Sequence, residues 1–279
     1  MFLIAGSTAS GKSALALKVA KEQNGIIINT DSMQIYDILG QLSARPPKED
    51  LEQAKHLLYG KIHPSIRFST GDWIKAVKEI LEVEKENQRP LIFVGGTGLY
   101  FKALTDGFIE IPKIDEEIVK EIEMEVDGLN KEQRLELLAK KDPAMAKKLL
   151  EPDRQRLTRA LSVLKVTGRS LAEWQNDKQV GLLGEFNVKK TLLNPAKEVL
   201  NEKIKKRFLQ MLENGAIEEV QALLKLNLNT SLPAMKAIGV KEISAMLKGD
   251  ITREEVIELC VIATRQYAKR QRTFFRKWS

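Results

Sequence analysis

Short, wholly apolar runs alternate with stretches of helical periodicity over the first third of the chain. Residues 2–5, 25–31 (GIIINTD) and 90–96 (PLIFVGG) are runs of the first kind and predict strands. Residues 12–23 and 70–87 carry the helical pattern between them. Short apolar strands separated by helices imply a parallel sheet covered on both faces. From about residue 114 to 177 the strand signal vanishes. Amphipathic helical stretches follow one another at 115–126, 131–140, 153–166 and 170–176. Residues 186–193 (FNVKKTLL) then predict a strand returning to the sheet. Asn194 and Pro195 suit the cap and first position of a helix running to about Glu213. Thr252 and Glu255 form a capping box for a last long helix, with apolar positions at Val256, Leu259, Cys260, Ala263, Tyr267 and Phe274. The expected organisation is one α/β core, residues 1–113 and 186–279, interrupted by an all-helical insertion at 114–185.

Composition changes this picture little. The 279 residues are 43% hydrophobic and 30% charged, as in an ordinary globular protein, and the apolar runs are far too short to span a membrane. The apolar N-terminus has no basic lead-in and enters a glycine loop at once, so a strand is expected there and a signal peptide is not. Cys260 is the only cysteine, which excludes an internal disulfide and a cysteine-based zinc site and fits a cytoplasmic protein. His56 and His63 lack the company a metal site needs. Net charge is +7, which favours an anionic partner. Its distribution is more telling. Residues 265–279 hold Arg265, Lys269, Arg270, Arg272, Arg276 and Lys277 with no acid, whereas residues 115–127 hold seven acids against Lys120. A polyanion would meet the first surface and be repelled by the second.

Gly6-Ser7-Thr8-Ala9-Ser10-Gly11-Lys12-Ser13 matches G-x-x-x-x-G-K-[ST] between an expected strand and an expected helix. Glycines let main-chain N–H groups turn inward around phosphate oxygens, and the helix N-terminus adds partial positive charge. Lys12 supplies a full charge, and the Ser13 hydroxyl can serve Mg²⁺. The fold class expected is therefore a P-loop NTPase-like parallel sheet. The motif alone specifies a polyphosphate and does not choose among kinase, NTPase and transferase.

Two more loops narrow the choice. Asp31-Ser32-Met33-Gln34-Ile35-Tyr36 follows the second apolar run, and Gly95-Gly96-Thr97-Gly98-Leu99-Tyr100 follows the third. In a parallel sheet their strand ends share one edge with the P-loop, where ligands bind in open α/β folds. Either loop alone is compatible with a simple turn. Together they place a carboxylate, Asp31, near bound phosphate, where it could take a proton from a nucleophile.

The segments GSTASGKS, DSMQIY, GGTGLYFKAL, DRQRLTRAL, TGRSL, AIGVKE and TRQYAKRQRTFFRKW occur in the order and spacing typical of tRNA dimethylallyltransferases. The resemblance spans essentially the whole chain and is closest to the short bacterial form. It implies a dimethylallyl diphosphate donor and a tRNA acceptor, the adenosine at position 37 beside the anticodon, prenylated on N6. It implies Mg²⁺ through Ser13, and a diphosphate held by the P-loop, Lys12, Thr97 and Arg207. Asp31 corresponds to the general base. The tRNA contacts it implies are Asp31, Ser32, Met33, Gln34 and Thr97, then Gln155, Arg156, Leu157, Thr158 and Arg159. Ala237, Ile238, Gly239, Val240, Lys241 and Glu242 complete the set. Gln155, Arg159 and Ser162 share a helix face opposite Leu157, Leu161 and Leu164, so that face is expected to meet the anticodon stem-loop. A flipped adenine is expected to meet the donor, with the protein acting as a monomer and without a membrane. Val119 and Val240 stand where relatives commonly carry arginine and tyrosine. Three rivals share parts of this pattern: a small-metabolite kinase, a non-catalytic RNA-binding protein, and a cousin that prenylates free adenine nucleotides.

Overall fold

The computed structural model describes residues 1–278. Five strands form one wholly parallel sheet in the order β3-β2-β4-β1-β5. They are β1 (Phe2–Gly6), β2 (Ile26–Asn29), β3 (Lys55–Leu57), β4 (Leu91–Gly95) and β5 (Lys189–Leu193). β2 and β4 are buried along their whole length, and β1 from Leu3 onward, which is why they are apolar apart from the hydrogen-bonded Asn29 that ends β2. Ile4, Ile27, Ile92 and Val94 face α1 (Lys12–Gln23), packing on its Ala16 and Ala20. The alternate residues Leu3, Ile28 and Phe93 are equally buried on the opposite face. Edge strands β3 and β5 carry polar side chains, a common device against edge-to-edge pairing.

α2 (Lys48–Gln53) leads into β3, α3 (Thr70–Asn87) leads into β4, and α4 (Gly98–Thr105) follows β4. α3 starts at a capping box in which the Ser69 hydroxyl accepts from the Asp72 amide and the Ser69 amide donates to the Asp72 carboxylate. Its Trp73 stacks on Tyr100 of α4 at 4.2 Å.

The chain divides into two compact units, Met1–Thr105 with the chain from Gly181 onward, and Asp106–Val180. The second is all helical: α5 (Glu116–Glu125), α6 (Lys131–Lys141), α7 (Pro143–Lys148), α8 (Arg154–Thr167) and α9 (Leu171–Trp174). Ile122, Val126, Leu138, Leu157 and Leu161 are among the residues of its own core. α8 is capped by Asp153, which accepts from the Arg156 amide at 2.8 Å, and stops at Gly168, whose φ of 67° a side chain would strain.

In the first unit, α10 (Lys197–Glu213), α11 (Ala216–Lys225), α12 (Val240–Lys248) and α13 (Arg253–Phe275) follow β5. Their apolar faces close over Ile35, Tyr36 and Leu39, forming a core beside the sheet. Among the described residues no helix is long and apolar enough to cross a membrane.

Several expectations need correction. Asn194 does not cap α10, which begins at Lys197 after an extended Ala196 with no side-chain cap. Pairing of Leu193 with Gly6 carries the extended chain that far, and a residue before proline is held out of helical geometry. The Thr252–Glu255 capping box is present, but Leu259 and Phe274 are exposed. The buried stripe of α13 runs through Val256, Cys260, Ala268, Gln271 and Phe275. β3 was not anticipated, being three residues long and polar.

Candidate active site

β1, β2 and β4 end side by side, so the segments after them share one edge of the sheet. The P-loop after β1 takes left-handed backbone at Ala9 (φ 62°) and Gly11 (φ 92°). Such alternation turns consecutive N–H groups toward a common centre. Gly11 precedes α1 without any side-chain cap, leaving the first amides of that helix for a ligand. Gly6 must be glycine because a Cβ there would stand 2.8 Å from the Leu193 carbonyl oxygen. The Ser7 and Ser10 hydroxyls are buried with no partner, two free donors inside the loop.

Two cations converge here. Lys12 Nζ donates to the Ser7 carbonyl at 3.3 Å, and the Arg207 guanidinium, from α10, donates to the Thr8 hydroxyl. Burial pushes the Lys12 ammonium down to about 8; the Asp31 carboxylate opposes that shift and Arg207 adds to it. Burial likewise lowers Arg207, again opposed by Asp31. Lys12, Arg207 and Asp31 therefore share one electrostatic field, with two positive charges poorly compensated until an anion arrives.

Asp31 is held by its own turn. Its amide donates to Asn29 Oδ1 at 2.8 Å, and its carboxylate Oδ1 accepts from the Met33 amide at 3.0 Å, leaving the second oxygen available. Asn29 is anchored in turn by its Nδ2, which donates to the carbonyls of Asp31 and Leu58 at 2.9 Å. Thr97 ties the Asp31 loop to the β4 loop: its hydroxyl accepts from the Ser32 amide at 3.0 Å, and its amide donates to the Thr30 carbonyl at 3.1 Å. Gly95 allows that approach, since a Cβ there would lie 2.0 Å from the Thr30 carbonyl oxygen. Lys12, Arg207, Asp31 and Thr97 are thus brought together by four different segments.

Two site residues were missed in the sequence, and both lie on α13. Gln271, only 4% exposed, accepts from the Thr8 amide at 2.8 Å and donates to the Gly96 carbonyl at 2.9 Å. Tyr267, one turn earlier, is held well above the ordinary tyrosine range, by burial first and then by the Asp31 charge. A polar residue in line with Ala268 and Phe275 on a buried stripe was the available signal.

Of the residues expected at tRNA, only some present side chains. Gln155, Arg156 and Arg159 are exposed on α8 and Lys241 on α12. Leu157, Thr158 and Ser162 are buried, as are Ala237, Gly239 and Val240, so the expected contact through these side chains is corrected. Leu157 belongs to the helical core, and Val240 to the core of α10–α13. Gln34 is nearly buried, donating through Nε2 to the carbonyls of Ser43 and Ala44 at 2.9 and 2.8 Å, and so braces its own loop. Asp31, Ser32, Met33 and Ile238 are half-buried.

For a metal, the fit rests on Ser13. Its hydroxyl is an exposed oxygen donor on the first turn of α1, next to Lys12. Among the described residues there is no cluster of three or more His, Cys, Asp or Glu able to hold a metal ion. A divalent ion here would take Ser13 together with oxygens of a bound phosphate and water, the habit of Mg²⁺.

Comparison with known proteins identifies a family. A sequence model of IPP transferase matches residues 34–278. The P-loop and Asp31 lie outside that span. A tRNA dimethylallyltransferase from Chelativorans sp. (strain BNC1) is 48% identical, over 98% of this chain and 94% of the relative. One from Allorhizobium ampelinum is 46% identical over 98% and 90%. Among solved structures, a tRNA isopentenylpyrophosphate transferase from Bacillus halodurans is 31% identical, with a TM-score of 0.67 over 99% of this chain and 86% of that one. A eukaryotic dimethylallyltransferase captured acting on tRNA is 25% identical, with a TM-score of 0.82 over 99% and 69%.

Proposed function

This chain belongs to the IPP transferase family, and from that premise we propose that its P-loop holds the diphosphate of dimethylallyl diphosphate as a leaving group. The enzyme transfers the dimethylallyl group to N6 of the adenosine at tRNA position 37, giving N6-isopentenyladenosine and diphosphate. The observation that carries the assignment is the shared field of Lys12, Arg207 and Asp31 at one sheet edge.

The chemistry divides cleanly between those charges. As the allylic C–O bond breaks, the electron pair leaves with the diphosphate, whose growing charge falls to Lys12, Arg207, the Ser10 hydroxyl and the amides opening α1. The N6 nitrogen forms the new C–N bond, and its proton passes to the free oxygen of the Asp31 carboxylate. Thr97, fixed by the Ser32 amide, keeps Asp31 and the leaving group in register. Bound Mg²⁺, held by Ser13 and diphosphate oxygens, would supply further charge neutralisation. Exposed Gln155, Arg156, Arg159 and Lys241 are assigned to tRNA phosphates and loop bases. All these groups lie on one chain, so a monomer suffices, working where tRNA is, in the cytoplasm.

Incubation with dimethylallyl diphosphate, Mg²⁺ and either an anticodon stem-loop or AMP tests the assignment. Prenylated stem-loop with unmodified AMP is expected. Prenylation of AMP alone would move the protein to the nucleotide-modifying class.

Lys12 makes a pH prediction. Without ligand its ammonium is half-protonated near pH 8, and a bound diphosphate raises it again. Donor binding at pH 8.5 should therefore take up protons, and affinity should weaken as pH rises past about 8. Calorimetry in buffers of different ionisation enthalpy measures the uptake; Lys12→Met should abolish it.

A further inference from the structure

The strand ends leave the P-loop and the Thr97 loop adjacent. One buried side chain joins them. Gln271 presents its amide oxygen to the Thr8 N–H and its amide nitrogen to the Gly96 carbonyl. No other orientation of the amide satisfies both partners, because Thr8 can only donate and Gly96 only accept. The glycine loop is cut to fit α13: a Cβ on Gly96 would stand 2.0 Å from Gln271 Nε2, and one on Gly98 would stand 2.4 Å from the Phe274 ring. The foot of α13 is fixed independently, since Phe275 and Trp278 pack edge-on against Phe101 of α4 at 5.4 and 5.2 Å. Tyr267 lies one turn before Gln271 on the same helix.

We propose that Gln271 is a positioning residue that sets the distance between the diphosphate cradle and the Asp31–Thr97 loops. This rests on the prenyl-transfer assignment above. Gln271 has no role in bond breaking and acts through main-chain atoms of the two loops. The two ends of the Gln271 amide have separable jobs, its oxygen holding the P-loop and its nitrogen holding the Thr97 loop.

That separation is the test. Gln271→Met removes both bonds, whereas Gln271→Glu keeps an acceptor for Thr8 and sets a carboxylate against the Gly96 carbonyl. Donor affinity, anticodon stem-loop affinity, single-turnover transfer rate and thermal midpoint are measured for each. Gln271→Met should weaken donor binding and lower the rate by about 10²-fold, the scale of a 1 Å misplacement. Gln271→Glu should bind donor nearly as wild type while remaining slow, and both should keep stem-loop affinity. A rate within threefold of wild type in folded Gln271→Met would overturn the proposal. So would losses in Met and Glu variants that are alike in binding and rate and follow only the thermal midpoint. If the wild-type protein transfers no prenyl group, the assigned reaction fails instead, and the Met–Glu contrast in donor affinity still decides the brace.

Discussion

Replacing Asp31 with asparagine is expected to slow prenyl transfer by roughly 10²- to 10⁴-fold, the range of a lost general base. The substitution isolates the proton-accepting role. Asp31 Oδ1 accepts from the Met33 amide at 3.0 Å, a bond that the asparagine oxygen retains, so the turn carrying Ser32 and Met33 should keep its shape. What disappears is the second carboxylate oxygen and its negative charge. An exocyclic adenine amine carries its lone pair into the ring and becomes a useful nucleophile only as its proton leaves. Single-turnover measurements at saturating donor and stem-loop report the chemical step alone. Stem-loop binding should stay within about threefold of wild type, because the charge lost is not a phosphate contact. A near-normal single-turnover rate would remove Asp31 from the role of base.

Lys12→Met is expected to lower the transfer rate by about 10²- to 10³-fold, the cost of losing one preorganised charge from a developing anion. Its effect on stability should run the other way. The folded-state value of about 8 lies below the ordinary lysine value of 10.5, so at neutral pH the folded state holds this charge less favourably than the unfolded chain does. That penalty is complete below pH 8 and is relieved as pH rises toward 10.5. Methionine removes the charge while keeping most of the volume. The thermal midpoint at pH 7 should equal or exceed that of wild type while activity collapses, the usual sign of a site strained for function. A variant that is both inactive and much less stable would instead make Lys12 a structural residue through its bond to the Ser7 carbonyl.

How much of this was legible in the sequence depends on how local each signal is. The P-loop motif specifies a turn, a helix start and a charge within eight residues, and all three are present. The strands β1, β2 and β4 were legible because burial on both faces fills them with apolar residues, Asn29 at the end of β2 excepted. β3 gave no such signal, since three residues at a sheet edge, one of them Lys55, need no apolar pattern. Leu157 shows a different limit. A segment resembling a binding motif contains residues that only hold its helix in place, and periodicity had already put Leu157 on the packing face. Gln271 was the largest omission. In a helix carrying Lys269, Arg270 and Arg272 a glutamine looks like one more solvated residue, and its two partners lie 263 and 175 positions away. Only the tertiary fold brings them together.

The role proposed for this P-loop is to hold a departing diphosphate and not to serve ATP turnover. Its most direct test is stoichiometry: diphosphate released per adenosine modified, with dimethylallyl diphosphate, Mg²⁺ and an anticodon stem-loop as the only reactants. One diphosphate per prenylated adenosine, with no ATP present, is the predicted result. A requirement for ATP, or ATP hydrolysis without prenyl transfer, would contradict it.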